Sequence, residues 1–308
     1  MSIISVVPRR HLPTVLPVAA IALVLAGASS GRAPRSSTIR VAAAESFWGS
    51  IAAQLGGSRV EVTSVISNPA IDPHAYEPTG IDARTFAGAR LVVVNGIGYD
   101  PWAEKLLDAN PVHGRVVLDV GDLVGIEPGG NPHRWYSPPD VRRVVDRLVA
   151  DYSRLDPAHA PYFRRQKAAL ERRGFGRYRQ LVATIERRYR GVAVGASESI
   201  VEPLARALGL KLVTPASFMK AISEGAEPTV ADRTTIDRQI ATGRIEVWIY
   251  NGQNSTPDVE RLTEAARRHG IPVTAITETP TPASASFQAW QSRQLQRLAT
   301  ALRQATGR

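Results

Sequence analysis

Strand-length apolar runs alternate with helix-length segments along nearly the whole chain, and that alternation leaves few folds open. Strands are expected at 39–43, 60–66, 91–94 and 116–120, and again at 191–196, 211–214, 245–250 and 272–276. Helices are expected at 47–55, 82–88, 101–107 and 139–155, then at 200–208, 234–242, 257–269 and 287–304. Strands separated by helices pair in parallel and are covered on both faces. The expected fold class is therefore α/β: two parallel-sheet (βα) lobes, 38–156 and 191–308, joined by a long helical connector at 157–190. Gly174 and Gly176 lie inside that connector, and each costs about 1 kcal/mol relative to alanine in a helix interior, so a kink is expected near Gly174. Each half also contains an apolar strand ending in Asn-Gly, at Asn95 and at Asn251.

The first residues read differently. Arg9-Arg10, an apolar stretch at 12–26 and Ala26-Gly27-Ala28 form a secretory signal pattern over 1–28, followed by a Gly/Pro/Ser/Arg linker at 29–37. About 15 apolar residues are short for a membrane span, and Pro13 and Pro17 weaken the run; a cleaved signal and a retained anchor both fit. The chain is expected to be secreted across the cytoplasmic membrane and to work in the periplasm or cell envelope. It has no cysteine, which excludes disulfides, thiolate metal sites, cysteine nucleophiles and lipid attachment through cysteine.

The net charge is +10, but the arginines read as scattered over helical faces, as at Arg142-Arg143, Arg164-Arg165 and Arg187-Arg188. No aromatic-interleaved stripe of the kind that stacks on bases is present, so nucleic acid is not an expected partner. A solvated basic surface accounts for the charge.

Ligands of open parallel sheets bind beyond the carboxyl ends of the strands. Residues 68–82 follow the second strand and hold His74 between Pro73 and Pro78, a stiff non-helical presentation. Asp72, Asp119 and Asp122 also fall beyond strand ends, and Asn131-Pro132-His133-Arg134-Trp135 is a second Pro-His loop. Glu198 and Glu278 take equivalent places in the second half. His74, His133, Glu198 and Glu278 together make a nitrogen and oxygen donor set for a first-row divalent metal, Zn2+ or Mn2+. The bland alternatives stay open at this point: Glu198 as a helix N-terminal acid and Glu278 as a loop acid near Pro280. His113 precedes a turn glycine, His159 opens a helix and His269 closes one, where structural roles suffice.

Pro73-His74-Ala75-Tyr76-Glu77-Pro78-Thr79, Leu91-Val92-Val93-Val94-Asn95-Gly96 with Tyr99-Asp100 and Trp102, and the His133 loop resemble the metal-binding receptors of bacterial ABC importers, the zinc and manganese solute-binding proteins. Tyr250-Asn251-Gly252-Gln253, Thr277-Glu278-Thr279 and the closing helix with Trp290 extend the resemblance over nearly all of the chain beyond the leader. It implies a metal site in the cleft between the lobes, with His74 and His133 as first-lobe ligands and Glu198 and Glu278 as the third and fourth. It implies no enzyme activity, a membrane permease as partner, and a monomer. Glu198 resembles the manganese-type members, zinc-type members usually having histidine there, and only ten residues without a histidine separate Val120 from Asn131; the metal stays open between the two. Tyr76 and Asn131 are expected to orient the imidazoles, and affinity is expected to fall as pH drops below about 6.5. Two other classes remain in view. A secreted metal-dependent hydrolase would need a general base such as Asp72 or Glu77, and an adhesin-like wall-binding protein would use only the basic charge.

Overall fold

The structure is a computed structural model that describes residues 1–6, 38–71, 73 and 76–308. The chain forms two units, Met1–Ser37 and Thr38–Arg308. Of the first, residues 1–6 are exposed and without regular structure. The apolar stretch and linker read from the sequence lie outside the described residues, as do Asp72 and His74. Among the described residues no helix is long and apolar enough to cross a membrane.

The second unit contains two wholly parallel sheets of four strands. The first is built from β1 (Ile39–Glu45), β2 (Val60–Ile66), β3 (Leu91–Val94) and β4 (Val116–Asp119), in the order β2-β1-β3-β4. Each strand is followed by a helix: α1 (Ser46–Gly56), α2 (Gly80–Gly88), α3 (Pro101–Ala109) and α4 (Val120–Val124). Side chains alternate across the sheet as strand geometry requires. Val41, Ala43, Leu91 and Val93 join one buried cluster, and Ala42, Ala44, Val92 and Val94 pack with Phe86 and Trp102 in another.

Three helices lead to the second sheet: α5 (Pro138–Leu155), α6 (Ala160–Ala169) and α7 (Gly176–Tyr189). The break expected near Gly174 is a single turn of π-helix, Leu170–Gly174, closed by Phe175 N–H donating to the Leu170 carbonyl at 2.8 Å. A Cβ on Gly174 would stand 2.6 Å from Leu170 Cδ1, so the wider turn is built around the missing side chain.

The second sheet repeats the first in topology. Its strands β5 (Ala193–Ala196), β6 (Lys211–Leu212), β7 (Val247–Asn251) and β8 (Val273–Ile276) run in the order β6-β5-β7-β8. Around them lie α8 (Glu202–Ala207), α9 (Ala216–Ser223), α10 (Val230–Ala241), α11 (Pro257–Arg268) and α12 (Phe287–Thr306). The edge strand is shorter than the expected 211–214, because the Thr214 hydroxyl, not the strand backbone, takes the Ala196 N–H at 2.9 Å. Helix α10 starts four residues before the expected 234, at a cap made by the Thr229 side chain accepting from Asp232 N–H. Helix α9, which buries Phe218, Met219 and Ile222 at helical spacing, is not among the helices expected from the sequence.

One buried cluster runs through both sheets. Phe47 of α1 stacks on Trp135 with centroids 4.1 Å apart, Trp135 meets Tyr136, and Tyr136 meets Trp290 of α12. Each such aromatic pair adds about 0.5–1.5 kcal/mol beyond its buried area. Gln54 and Gln288 exchange hydrogen bonds of 3.1 and 2.7 Å, and Phe287 N–H donates to Ser50 Oγ at 3.0 Å. The closing helix of the second lobe therefore packs on the first, so movement between the lobes must keep this shared core intact.

Candidate metal centre

In both sheets the strand order reverses between two central neighbours, β1 and β3 in one, β5 and β7 in the other; Glu198 lies beyond the end of β5, Glu278 beyond β8, and the His133 loop follows β4 and α4. After β3 the chain turns through Gly96, Ile97 and Gly98, all at positive φ. A Cβ on Gly96 would come within 2.3 Å of Asp119 Oδ1, so neither conformation nor space admits a side chain there. Ile97, at φ 62, is a β-branched residue in a conformation such residues avoid. The buried Asp100 carboxylate holds the turn by accepting from Asn95 N–H at 2.7 Å and Gly96 N–H at 2.8 Å.

Asn95 links this turn to the His133 loop. Its Oδ1 accepts from Trp48 Nε1 at 3.0 Å, and its Nδ2 donates to the Pro132 carbonyl at 3.0 Å. His133 is 1% exposed. Its Nδ1 lies 2.9 Å from Asn131 Oδ1, which can only accept, so Nδ1 carries a proton and, in the neutral ring, Nε2 is the nitrogen with the lone pair. Asn131 is held in turn, its Nδ2 donating to the Ser199 carbonyl and to Glu202 across the lobe boundary. The expected role of Asn131 is present in the structure. The Tyr76 hydroxyl donates instead to Asp82 at 2.8 Å, fastening its loop to the capping box of α2.

The second lobe contributes the acids. Glu198 is 1% exposed; its Oε2 accepts long bonds from Ser223 Oγ at 3.4 Å and Asn254 Nδ2 at 3.5 Å. Burial, and then the charge of Glu278, push the Glu198 carboxyl up to about 8. Glu278 accepts from Tyr99 O–H at 2.9 Å on one oxygen and from Asn251 Nδ2 at 3.1 Å on the other. Its Oε1 lies 3.5 Å from His133 Nε2.

His133, Glu198 and Glu278 line one cavity of about 880 Å³, together with Pro69 and Pro73, the residue before His74. His133 Nε2 and Glu198 Oε1 are buried in it without a hydrogen-bond partner. Unpaired buried polar atoms are costly, and a cation bound against them would relieve both. Among the described residues no three His, Asp or Glu side chains are gathered closely enough to hold an ion by themselves. Asp119 and Asp122 are outside the cavity lining; Asp119 caps α4 by accepting from Asp122 N–H. Glu77 is exposed and outside it too.

The sequence singles out Tyr99 and Asp100 only as part of a motif, with no role for either, and gives no signal for Asn254, Ser223 or the buried Glu45. The paired Asn-Gly strand ends were the available signal for Asn95 and Asn251. Replacing Asn131 with leucine is expected to weaken metal binding by about tenfold to a hundredfold, by freeing the His133 ring, while leaving the unfolding transition cooperative. Calorimetric titration of the variant checks this, and unchanged affinity would remove Asn131 from the site.

Residues 41–301 match the family model described as ZnuA, "Zinc-uptake complex component A periplasmic". The "Manganese-binding lipoprotein MntA" of Bacillus subtilis (strain 168) is 27% identical over 164 residues, covering 51% of this chain and 53% of that protein. The "Iron-binding protein YfeA" of Yersinia pestis is 30% identical over 128 residues, 39% of this chain and 40% of that protein. The chain thus spans about half the length, or less, of these curated relatives. Among solved structures, the Mn-bound periplasmic metal binding protein from Candidatus Liberibacter asiaticus superposes with a TM-score of 0.72 at 17% identity, covering 85% of this chain and 99% of that one. FpvC from Pseudomonas aeruginosa, solved in complex with Mn2+, gives 0.68 at 22% identity, covering 86% and 98%. At such identities these likenesses establish the fold.

Proposed function

The chain belongs to the ZnuA family of periplasmic zinc-uptake components, and from that premise we propose that it is an extracytoplasmic receptor for a divalent transition metal, Zn2+ or Mn2+, carried as cargo between its lobes and delivered to the membrane permease of an ABC-type importer. His133, Glu198 and Glu278 are the ligands proposed from the described residues, with His74 as the fourth. The observation that carries this reading is the pair of buried polar atoms without a hydrogen-bond partner, His133 Nε2 and Glu198 Oε1, facing one cavity with Glu278. Two relatives named for manganese and iron binding support the ligand class.

Capture follows from the donors. The imidazole offers Nε2 because Asn131 fixes its other nitrogen, and the carboxylates arrive already oriented by Tyr99, Asn251 and Asn254. Because donors come from both lobes, the ion favours whichever lobe arrangement brings them closest, and only by as much as it binds that arrangement better. A permease can then distinguish loaded from empty receptor by shape. The family describes an uptake component, and Glu77, one of the two residues singled out for hydrolysis, is exposed outside the cavity.

Metal analysis of protein purified without chelator, followed by competition titration of Zn2+ against Mn2+, tests the reading. One equivalent of either ion, held with submicromolar affinity or tighter, is expected. Absence of stoichiometric binding by both would overturn it.

A further inference from the structure

The positive charge that reads as scattered along the sequence is gathered on one face of the fold. Residues 164–190 contain ten cationic and two acidic side chains, and 287–308 add four arginines and no acid. The rest of the chain from Thr38 holds 20 cationic and 26 acidic residues, so the lobes around the site are net negative while this segment is strongly positive. The two parts are contiguous, because α12 packs along α7.

The charge faces solvent. On α7, Tyr178, Ile185 and Tyr189 point into the core, while Arg177, Arg179, Arg187 and Arg188 are exposed on the other side. Arg164, Arg165, Arg172 and Arg173 are exposed on α6 and the π turn. Among the described residues, Arg164, Arg165, Arg172, Arg173, Arg177, Arg187 and Arg188 have no carboxylate partner. On α5, by contrast, Arg143, Arg147 and Arg154 are paired with Asp140 or Asp151. Seven unneutralised guanidinium groups on one surface repel each other and gain free energy from any anionic plane brought against them.

We propose that the outer face of α6, the π turn, α7 and α12 docks on an anionic phospholipid surface, holding the receptor at the membrane. The aromatic residues of the segment that could stack on bases, Phe175, Tyr178 and Tyr189, are buried, so the face does not suit nucleic acid. None of the residues lining the metal cavity comes from this segment, which leaves the cleft free while the face is engaged. Guanidinium groups match lipid phosphates in charge and hydrogen-bonding geometry. The inference rests on the extracytoplasmic placement and is independent of which metal is carried.

Co-sedimentation of the full chain with vesicles tests it, using phosphatidylcholine alone and phosphatidylcholine with about 30% phosphatidylglycerol, at about 50 mM and about 500 mM salt. The wild type is expected to bind the anionic vesicles more strongly than the neutral ones, with the difference lost at high salt. A basic side chain near an anionic surface strengthens binding roughly fivefold, so R172Q/R173Q/R177Q/R187Q is expected to lose at least about tenfold. The matching lysine variant should retain binding, because charge carries the effect. A control with the same change in net charge, R84Q/R142Q/R238Q/R267Q, should bind vesicles like wild type. Metal affinity measured on every variant should stay constant, so a failure of lipid binding is separate from a failure of metal binding. No preference of the wild type for anionic vesicles, or equal loss in the control, would overturn the proposal.

Discussion

Glu278→Ala is expected to lower the affinity for Zn2+ or Mn2+ by at least about a hundredfold, since losing groups that merely orient ligands already costs tenfold to a hundredfold. Glu278 lies where the lobes meet: its Oε1 is 3.5 Å from His133 Nε2, and Tyr99 of the first lobe donates to its Oε2. Its removal takes away a charged donor and leaves the Tyr99 hydroxyl and Asn251 Nδ2 without the carboxylate they now hold. Each hydrogen bond lost to a charged group costs about 1.5–3 kcal/mol, so the alanine variant should also unfold at lower denaturant. Glu278→Gln separates the two effects by keeping a hydrogen-bonding side chain of the same shape while removing the charge. Its stability should stay near wild type and its affinity should still collapse. His113→Ala and His269→Ala should bind metal normally; His269 Nδ1 already meets the Ala265 carbonyl at 2.9 Å, at the end of α11. Competition titration with a metal indicator reads all four variants. Retained affinity in Glu278→Gln would exclude Glu278 as a ligand.

Raising the pH is expected to strengthen metal binding and, without metal, to weaken the fold. Glu198 is pushed up to about 8, first by burial and then by the charge of Glu278, from an ordinary value of 4.5. Below that value the metal-free protein holds a proton on Glu198 that an incoming ion must displace. Affinity should therefore rise roughly tenfold per pH unit up to about pH 8, with about one proton released per ion at pH 7.

Stability runs the other way. The folded pKa lies above the unfolded one, so between about 4.5 and about 8 the native state binds the proton that the unfolded chain has lost. Stability then falls as pH rises through that window and levels off beyond it. Asp100, pushed up to about 6 by burial, adds to the same trend, as does Glu45, which burial and then the charge of Asp100 hold well above the usual carboxylate range. Chelator-treated protein should be more stable at pH 5.5 than at pH 8 by on the order of 2–3 kcal/mol. Saturating metal, which takes the place of the Glu198 proton, should remove that group's share of the slope. Glu198→Gln should flatten the affinity profile, and a wild-type profile flat from pH 6 to 8 would remove Glu198 from the coordination set.

Much of the architecture was readable in one dimension. All eight strands begin and end within two residues of where apolar runs and β-branched residues place them, because strands covered by helices on both faces are largely apolar. The break near Gly174 was readable because a glycine inside a helix is costly without a reason to be there. Strand ends also pointed to His133, Glu198 and Glu278, since ligands gather where parallel sheets expose their carboxyl edges. Helix α9 lies outside the expected helices although Phe218, Met219 and Ile222 recur at helical spacing; its two turns are short against the usual three or four, and it carries Ser223 against Glu198.

What the amino-acid order determined by itself was local: strand and helix type, the stiff Pro-His loops, and donors limited to nitrogen and oxygen by the lack of cysteine. Tertiary structure alone decided which groups meet. Tyr99 and Glu278 are 179 residues apart and share a hydrogen bond, and Asn131 reaches Glu202 across 71 residues. It alone buried Glu198 deeply enough to hold a proton near neutral pH, and it alone gathered the arginines of the connector and α12 on one face. Period and propensity are properties of neighbours along the chain, whereas desolvation and charge depend on distances that exist only after the chain has closed on itself.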